Sequence, residues 1–469
     1  MATIVRPIAV PRFDVQPKAE EVMTSTLPRV SALRVLGRVL VVQAVFFYFL
    51  ALRVVDLVGL RWLAYALTFR LDAYERLTGP VVLRRAFEVL GPTYVKLGQL
   101  VASGEALFPE RYSEEFRTLL DRVPPFAASE VLAILDSDLG TRERALIAHL
   151  DEVPIAAASI AQVHAAVIDD GSTVVIKVQR NGIGELAAAD IALMRFYVTL
   201  LAKVSVHVRR ANVLAVIEDF EANLIEELDF TNEASRMREF NEVMEAMGTH
   251  SVAAPIVYDD LSSKRVLTME RFDGWRLDDT EGILASPYDA EERLRTGVRA
   301  WFQTLIVRGF FHGDVHAGNF LLLHDGRIGY LDFGIVGVFD DEQKKNVLEY
   351  VLGFQSRDFS RVARSMLKMG TVDDPDAVDV EKFAADLAVV YSPMIDPVEG
   401  FKMRDMLPDL IRVSRAHSMR MPRDLVLVTK QLVYLDRYSR ALGGNDMNVL
   451  TDQQLSGLIM QDMLAAMFA

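Results

Sequence analysis

The sequence predicts an α+β fold of two lobes, the second mostly helical, behind an all-helical N-terminal extension. Three observations predict it. Helical patterning fills the chain from about Ser31 to Val123; the period then shortens to two on either side of Asp169-Asp170-Gly171-Ser172; from Leu277 onward helices return, interrupted between Phe310 and Gly337. The expected boundaries are 1–85 for an N-terminal arm and helices docking on a membrane or on the adjacent lobe, 86–272 for a helical segment and N-lobe, and 273–469 for a C-lobe with C-terminal helices.

Residues 1–28 hold Pro7, Pro11, Pro17 and Pro28 without a sustained period, which reads as an irregular arm, and Met1 to Phe13 lacks the apolar core of a signal peptide. Helices follow, with breaks at Gly59, Gly79-Pro80 and Gly91-Pro92 and a stop at Pro124-Pro125. Val39 to Leu52 is an uncharged run of 14 residues, short for a membrane span. Lengthening it draws in Arg53 and Asp56, each costing about 2.5–3.5 kcal/mol near mid-bilayer. With Arg29, Arg34, Arg38, Arg53, Arg61 and Arg70 around it, the run reads as a helix on an anionic bilayer surface or, equally well, as one docked on its own protein.

Gln162 to Ile168 and Thr173 to Gln179 alternate as the two arms of a β-hairpin. Val174, Ile176 and Val178 share one face, so Lys177 projects from the other, beside the loop Ile155 to Ala161. A long helical stretch, Asn212 to Met247, leads to strands expected around Ala254 to Tyr258 and Arg265 to Met269. Further strands are expected at Phe320 to Leu323 and Arg327 to Leu331, and a late helix at Arg423 to Leu442, bounded by Pro422 and Gly443-Gly444.

Composition narrows the function classes. Without cysteine there is no disulfide framework, thiolate catalysis or Cys-ligated metal, and a cytoplasmic address is the default. A net charge of −14 argues against nucleic acid as the main partner. Residues 1–70, however, hold nine Lys or Arg against four Asp or Glu, which leaves room for a local anionic partner.

The chemistry concentrates in His312-Gly313-Asp314-Val315-His316-Ala317-Gly318-Asn319 and Asp332-Phe333-Gly334. An Asp five residues before an Asn, with Asp-Phe-Gly about a dozen further on, matches the catalytic loop and metal-binding pair of kinase-like phosphotransferases. Asp314 would orient or deprotonate an acceptor hydroxyl, while Asn319 and Asp332 would hold Mg2+ bridging the phosphates of ATP. These motifs call for an upstream strand lysine, Lys177, and a helix glutamate, for which Glu233 is chosen. Backbone groups of Glu270 to Phe272 stand where an adenine-binding hinge would lie. The fold class is therefore a bilobal protein-kinase-like one. Over the phosphates, Ala156-Ala157-Ala158-Ser159-Ile160-Ala161 replaces the glycine-rich loop, and alanine does not reach positive φ as cheaply as glycine. The activation segment of a protein kinase is also missing, because Asp340-Asp341-Glu342 opens a helix shortly after Gly334.

From about Ala86 to Asn448 the chain resembles the UbiB family of atypical kinase-like proteins, tied to ubiquinone and related isoprenoid lipid metabolism. The resemblance rests on Lys96-Leu97-Gly98-Gln99, the Ala-rich loop through His164, and Glu227-Leu228-Asp229. It implies that Lys96, paired with Glu227, and Gln99 lie over the active site, Glu227 and Asp229 forming the acidic pair, and block the peptide groove. It further implies ATP and magnesium binding, a low ATPase activity stimulated by anionic membrane lipid, and a peripheral place on the inner face of a membrane. Isoprenoid quinone intermediates and membrane biosynthetic proteins are the implied partners. Asn181 stands where the family usually has proline, and Leu455 to Ala469 is a single short amphipathic tail rather than a pair of spanning helices.

Competing readings are weaker. Gly182-Ile183-Gly184-Glu185-Leu186-Ala187 fits a dinucleotide fingerprint, but no repeating βαβ pattern surrounds it, and no P-loop motif occurs. His312 and His316 read as loop-bracing residues rather than zinc ligands. The favoured function is a lipid-linked ATPase or small-molecule phosphotransferase; the alternatives are a nucleotide-switched scaffold of a membrane biosynthetic complex and, less favoured, a protein kinase.

Overall fold

A computed structural model describes residues 27–28, 30–68, 75–103, 110–119, 125–205, 213–372, 378–395, 403–421, 423–443 and 452–468. The N-terminal arm before residue 27, Arg29, Arg70, Pro124, Pro422 and Gly444 lie outside the described residues. The chain forms two compact units, one of Lys18–Asn232 with Tyr258–Glu270 and one holding Glu233–Val257 and Arg271–Ala469. By contact, the described residues before 86 fall with the first unit and residues 233–257 with the second. The N-terminal helices join the first unit because polar and apolar contacts tie them to it. Residues 233–257 join the second because Val252–Ala253 pairs with Ile328–Tyr330 there.

In the first unit an antiparallel sheet runs in the order Ile147–Leu150, Ala161–Ile168, Thr173–Gln179, Val266–Glu270, with Ala156–Ala157 also pairing to Ala161–Ile168. Its apolar face is the one the alternation predicts. Val174, Ile176 and Val178 are buried, and pack with Val131, Ile134 and Leu135 of the helix Ala128–Asp138. An antiparallel sheet has no βαβ crossover, so Gly182, at φ +66°, is simply the left-handed start of the helix Ile183–Val204.

The helix Ala32–Leu57 lies along this unit on one stripe. Val42, Phe49 and Asp56 are buried at spacings of seven, two helical turns apart. Arg38 forks onto Asp190, with Nε 2.5 Å from Oδ1, and gives a further bond to the Leu90 carbonyl. At the far end Arg53 donates to the Leu77 carbonyl, and Asp56 accepts from the Leu77 N–H. The opposite stripe, Leu33, Leu36, Leu40, Phe47, Leu50, Val54 and Leu57, is exposed.

Two sequence expectations move. The stretch Asn212 to Met247 is two helices, Val213–Glu227 and Phe230–Ala246. The Asp229 carboxylate caps the second by accepting from the Thr231 N–H, while the Leu228 carbonyl is taken by Gln179 and the Phe230 N–H by the Lys264 carbonyl. The strand expected at Ala254 to Tyr258 is instead Val252–Ala253. Its ladder stops because the Asn241 side chain takes both the N–H and the C=O of Ala254.

The second unit carries a sheet in the order Val252–Ala253, Ile328–Tyr330, Phe320–Leu323, Gly274–Arg276, and a two-stranded pair of Phe310–His312 with Val336–Val338. The helix Ala290–Arg308 supplies Leu294, Val298, Trp301 and Leu305 to its core. The C-terminal segment is a helix, Gln453–Phe468, docked rather than free: Leu455, Ile459 and Met463 are buried, and Asp462 holds Arg299 through two bonds of 2.7 and 2.8 Å.

Candidate active site

The site residues fall into two groups, one in each unit. In the first unit Lys177 sits centrally in its strand, opposite Val163 on one side and Leu267 on the other. Its ammonium stands 5.2 Å from the centre of the Phe230 ring. Two residues along the same face, Gln179 donates to the Leu228 carbonyl at 3.0 Å. The strand lysine is thus fixed against the junction that carries Glu227, Leu228 and Asp229.

The structure also brings Lys96 and Glu227 together, Nζ to Oε2 at 2.7 Å. Gln99 is half-buried one turn on from Lys96 in the helix Pro92–Ser103. Gly98 between them allows close packing, since a Cβ there would stand 2.8 Å from the Phe116 ring. Asp229 is occupied with the Thr231 cap and with Lys264, at 3.5 Å.

Ala156 and Ala157 form a short strand, and the Ala158 N–H closes a turn on the Ala161 carbonyl at 2.7 Å. Ser159, Ile160 and Ala161 are buried. No residue of this loop has positive φ, which is why alanine serves where glycine is usual. Glu270 ends its strand opposite Val174. Phe272 packs its ring beside Gly329 and under the Arg327 guanidinium. Glu233 is buried on the helix Phe230–Ala246, one turn after Phe230.

In the second unit Asp314, Asn319 and Asp332 are set on one hydrogen-bonded frame. His312 is its keystone: Nδ1 accepts from the Asp314 N–H at 3.2 Å and Nε2 donates to the Leu331 carbonyl at 2.8 Å, joining the loop of Asp314 to the segment before Asp332. Burial pushes the His312 imidazole down, which keeps the neutral form this bonding pattern needs. Trp301 holds the His312 carbonyl at 2.9 Å. Asn319 donates its amide to the Asp314 carbonyl at 3.1 Å, so the amide oxygen is the atom that would hold a cation. Its own carbonyl accepts from the Leu331 N–H at 2.8 Å. Asp332 has φ +56°, a left-handed conformation costly for a side-chain-bearing residue and held by the buried Phe333, which packs on Phe240 and His312.

Several residues outside the sequence expectation complete this frame. Gln431, fully buried on the helix Arg423–Gly443, accepts from the Val315 N–H at 2.8 Å and donates to the Gly313 carbonyl at 2.6 Å. Lys430 beside it places Nζ 3.9 Å from Asp314 Oδ1, and His316 Nε2 stands 3.6 Å from Asp314 Oδ2. Arg236 reaches the Phe333 and Gly334 carbonyls, both at 3.3 Å. No motif marks Lys430 or Gln431, because they lie more than a hundred residues from the loop they touch.

Among the described residues no cluster of three His, Asp or Glu forms a metal cage. One carboxylate, Asp332, and one amide oxygen, Asn319, are hard donors that suit magnesium, which takes the rest of its shell from phosphates and water. They lack the imidazole and thiolate ligands on which zinc sites are chiefly built.

Residues 118–366 match the family model of the ABC1 atypical kinase-like domain, and residues 390–445 that of the UbiB helical domain. The chain belongs to the ABC1/UbiB family of atypical kinase-like proteins. It is 35% identical over 406 residues, 81% of this chain and 75% of the relative, to an uncharacterized chloroplastic aarF domain-containing protein kinase of Arabidopsis thaliana. An uncharacterized protein of Mycobacterium tuberculosis is 37% identical over 384 residues, 80% of this chain and 77% of the relative. The probable protein kinase UbiB of Azotobacter vinelandii is 31% identical over 390 residues, 82% and 72%. Among solved structures, the Rv3197–erythromycin complex of Mycobacterium tuberculosis matches with a TM-score of 0.50 at 26% identity, covering 75% of this chain and 92% of that one. As an ABC1/UbiB member the chain has the α+β kinase-like fold, and both Lys430 and Gln431 lie within its UbiB helical domain.

Proposed function

We propose that this ABC1/UbiB protein is a magnesium-dependent ATPase or small-molecule phosphotransferase, stimulated by anionic membrane lipid and supporting isoprenoid quinone or related lipid metabolism. The observation that carries the reading is the single frame on which His312 holds Asp314, Asn319 and the strained Asp332. A left-handed aspartate kept in place beside a buried aromatic cluster is the kind of held conformation that gathers at functional sites, which supports this reading.

In this reading Lys177 takes the α- and β-phosphates, with Glu233 as its acidic partner, and the loop Ala156 to Ala161 covers them. Backbone groups of Glu270 to Phe272 take the base. Asn319 and Asp332 hold magnesium, which when bound neutralises charge on the phosphate oxygens. Asp314 aligns the attacking hydroxyl or water and accepts its proton. Lys96 and Gln99, with Glu227 and Asp229, restrict access, so a peptide acceptor is disfavoured. Between Gly334 and the helix Asp341–Gln355 stands only the strand Val336–Val338, too short for a peptide platform.

The membrane part of the proposal rests on Ala32–Leu57, one helix long and apolar enough to cross a bilayer, with 11% of its most apolar window buried. Arg38, Arg53 and Asp56 bind it to the protein at both ends. That favours a helix lying in the surface of the inner face of a membrane, with Leu36, Leu40 and Phe47 turned outward.

The test is phosphate release from ATP by the full chain with magnesium, with and without phosphatidylglycerol vesicles, beside Asp332→Asn. Release that rises with the vesicles and falls at least 100-fold in the variant is expected. Tight magnesium-dependent nucleotide binding without release would favour the nucleotide-switched scaffold instead.

A further inference from the structure

The helix Arg423–Gly443 does more than fill the core behind the catalytic loop. Its Gln431 side chain bonds the backbone on both sides of Asp314, at Gly313 and at Val315. One position earlier, Lys430 faces the Asp314 carboxylate from 3.9 Å. Further along, Tyr438 bonds the Ala317 backbone, and burial pushes its hydroxyl up to about 12. Lys430, Gln431, Tyr434 and Tyr438 fall on neighbouring rows of one helical face, and the Lys430 ammonium stands 5.6 Å from the Tyr434 ring. The backbone of Asp314 is therefore clamped by residue 431, and one of its two carboxylate oxygens is faced by residue 430. The other oxygen is faced by His316.

We propose that Lys430, held in register by Gln431, is a positioning residue for phosphoryl transfer: it fixes the direction of the Asp314 carboxylate, so that the oxygen accepting the proton stays aimed at the acceptor. The inference rests on the proposed role of Asp314. Within the aspartate's own loop, Asn319 and the His316 N–H engage the Asp314 backbone carbonyl and the His316 ring faces Oδ2 from 3.6 Å, so it is Lys430, from outside the loop, that faces Oδ1. Lys430 and Asp314 are each about a quarter exposed, 25% and 26%, so the pair is open enough for an acceptor to enter yet sheltered enough for direction to matter. A carboxylate free to rotate loses the near-attack arrangement, and misplacement by about 1 Å can cost on the order of 100-fold in rate.

The experiment measures kcat and KM for MgATP in phosphate release by the full chain with phosphatidylglycerol vesicles, for wild type, Asp332→Asn, Lys430→Met and Lys430→Arg. Lys430→Met keeps the apolar stem on Tyr434 and removes the charge. Thermal shift by MgADP is recorded for each protein, to show that it is folded and binds nucleotide. The expected result is a fall in kcat of about 10- to 100-fold in Lys430→Met, with KM and the MgADP shift unchanged within about twofold. Lys430→Arg, which restores the cation, should recover most of the rate. Lys430→Met turning over like wild type, losing MgATP affinity in step with rate, or not being rescued by arginine would overturn this inference and leave the role of Asp332 standing. Wild type releasing no more phosphate than Asp332→Asn would overturn the reading of the site and this inference with it.

Discussion

His312 is the residue that ties the loop of Asp314 to the segment before Asp332, and its bonding has a pH consequence. Its folded pKa lies below its ordinary value because burial disfavours the cation. Above pH about 6.5 both folded and unfolded states are neutral and nothing is lost; below it the unfolded chain takes up a proton that the folded one resists, so stability falls with acid. Chemical denaturation of wild type and His312→Gln between pH 7.5 and 5 checks this. The variant should lose up to one proton's worth of the slope, and an unchanged slope would mean that the ring is not held neutral. Gln431 offers a second test. Truncation to Ala leaves the Val315 N–H and the Gly313 carbonyl without their partner in a dry site, and a loss of about 3 kcal/mol is expected in urea titration. That Asp314, Asn319 and Asp332 belong together was legible because their separation along the chain is short, and the structure sets them on one hydrogen-bonded frame. Lys430 and Gln431 were not, because contact across more than a hundred residues leaves no local pattern.

The helix Ala32–Leu57 shows why an apolar run alone does not reveal its setting. Both the bilayer and the protein reward the same residues, and here the helix has two apolar stripes, the inner one marked by Val42 and Phe49 and the outer one by Leu36, Leu40 and Phe47. Its docking depends on the fork from Arg38 to Asp190, a fully buried carboxylate. Arg38→Ala leaves that charge uncompensated and should cost about 3 kcal/mol. Protease sensitivity within Ala32–Leu57 should rise in the variant. Resistance equal to that of wild type would show that the apolar stripe holds the helix without the fork. In the second unit, the strand Val336–Val338 passes so close to Phe311 that a Cβ at Gly337 would stand 2.1 Å from the ring. With Phe311 fully buried, Gly337→Ala is expected to destabilise by about 1–3 kcal/mol in thermal denaturation. The break between Val213–Glu227 and Phe230–Ala246 contains neither Gly nor Pro, which is why it escaped a reading built on breakers.

For the protein as a whole, the proposed anionic-lipid partner rests on charge and apolar surface together. The chain carries −14 overall, yet its first 70 residues are basic, and they contain the outward stripe of Ala32–Leu57. Co-sedimentation with vesicles should therefore need anionic lipid, weaken as salt rises, and fall at least tenfold in Leu36→Asp/Phe47→Asp, whose side chains are 58% and 75% exposed. Equal binding to neutral vesicles would remove the electrostatic part of the proposal.

Order along the chain determined the α+β class, the Asp314, Asn319 and Asp332 set, Lys177 on its strand, and the Lys96-Leu97-Gly98-Gln99 helix, since each follows from local periodicity or from spacing that chemistry constrains. Tertiary structure alone decided that the N-terminal helices belong to the first unit, that residues 233–257 belong to the second, and that a late helix grips the loop of Asp314. Local propensity acts over a few residues. Burial and ion pairing act between segments that only folding brings together.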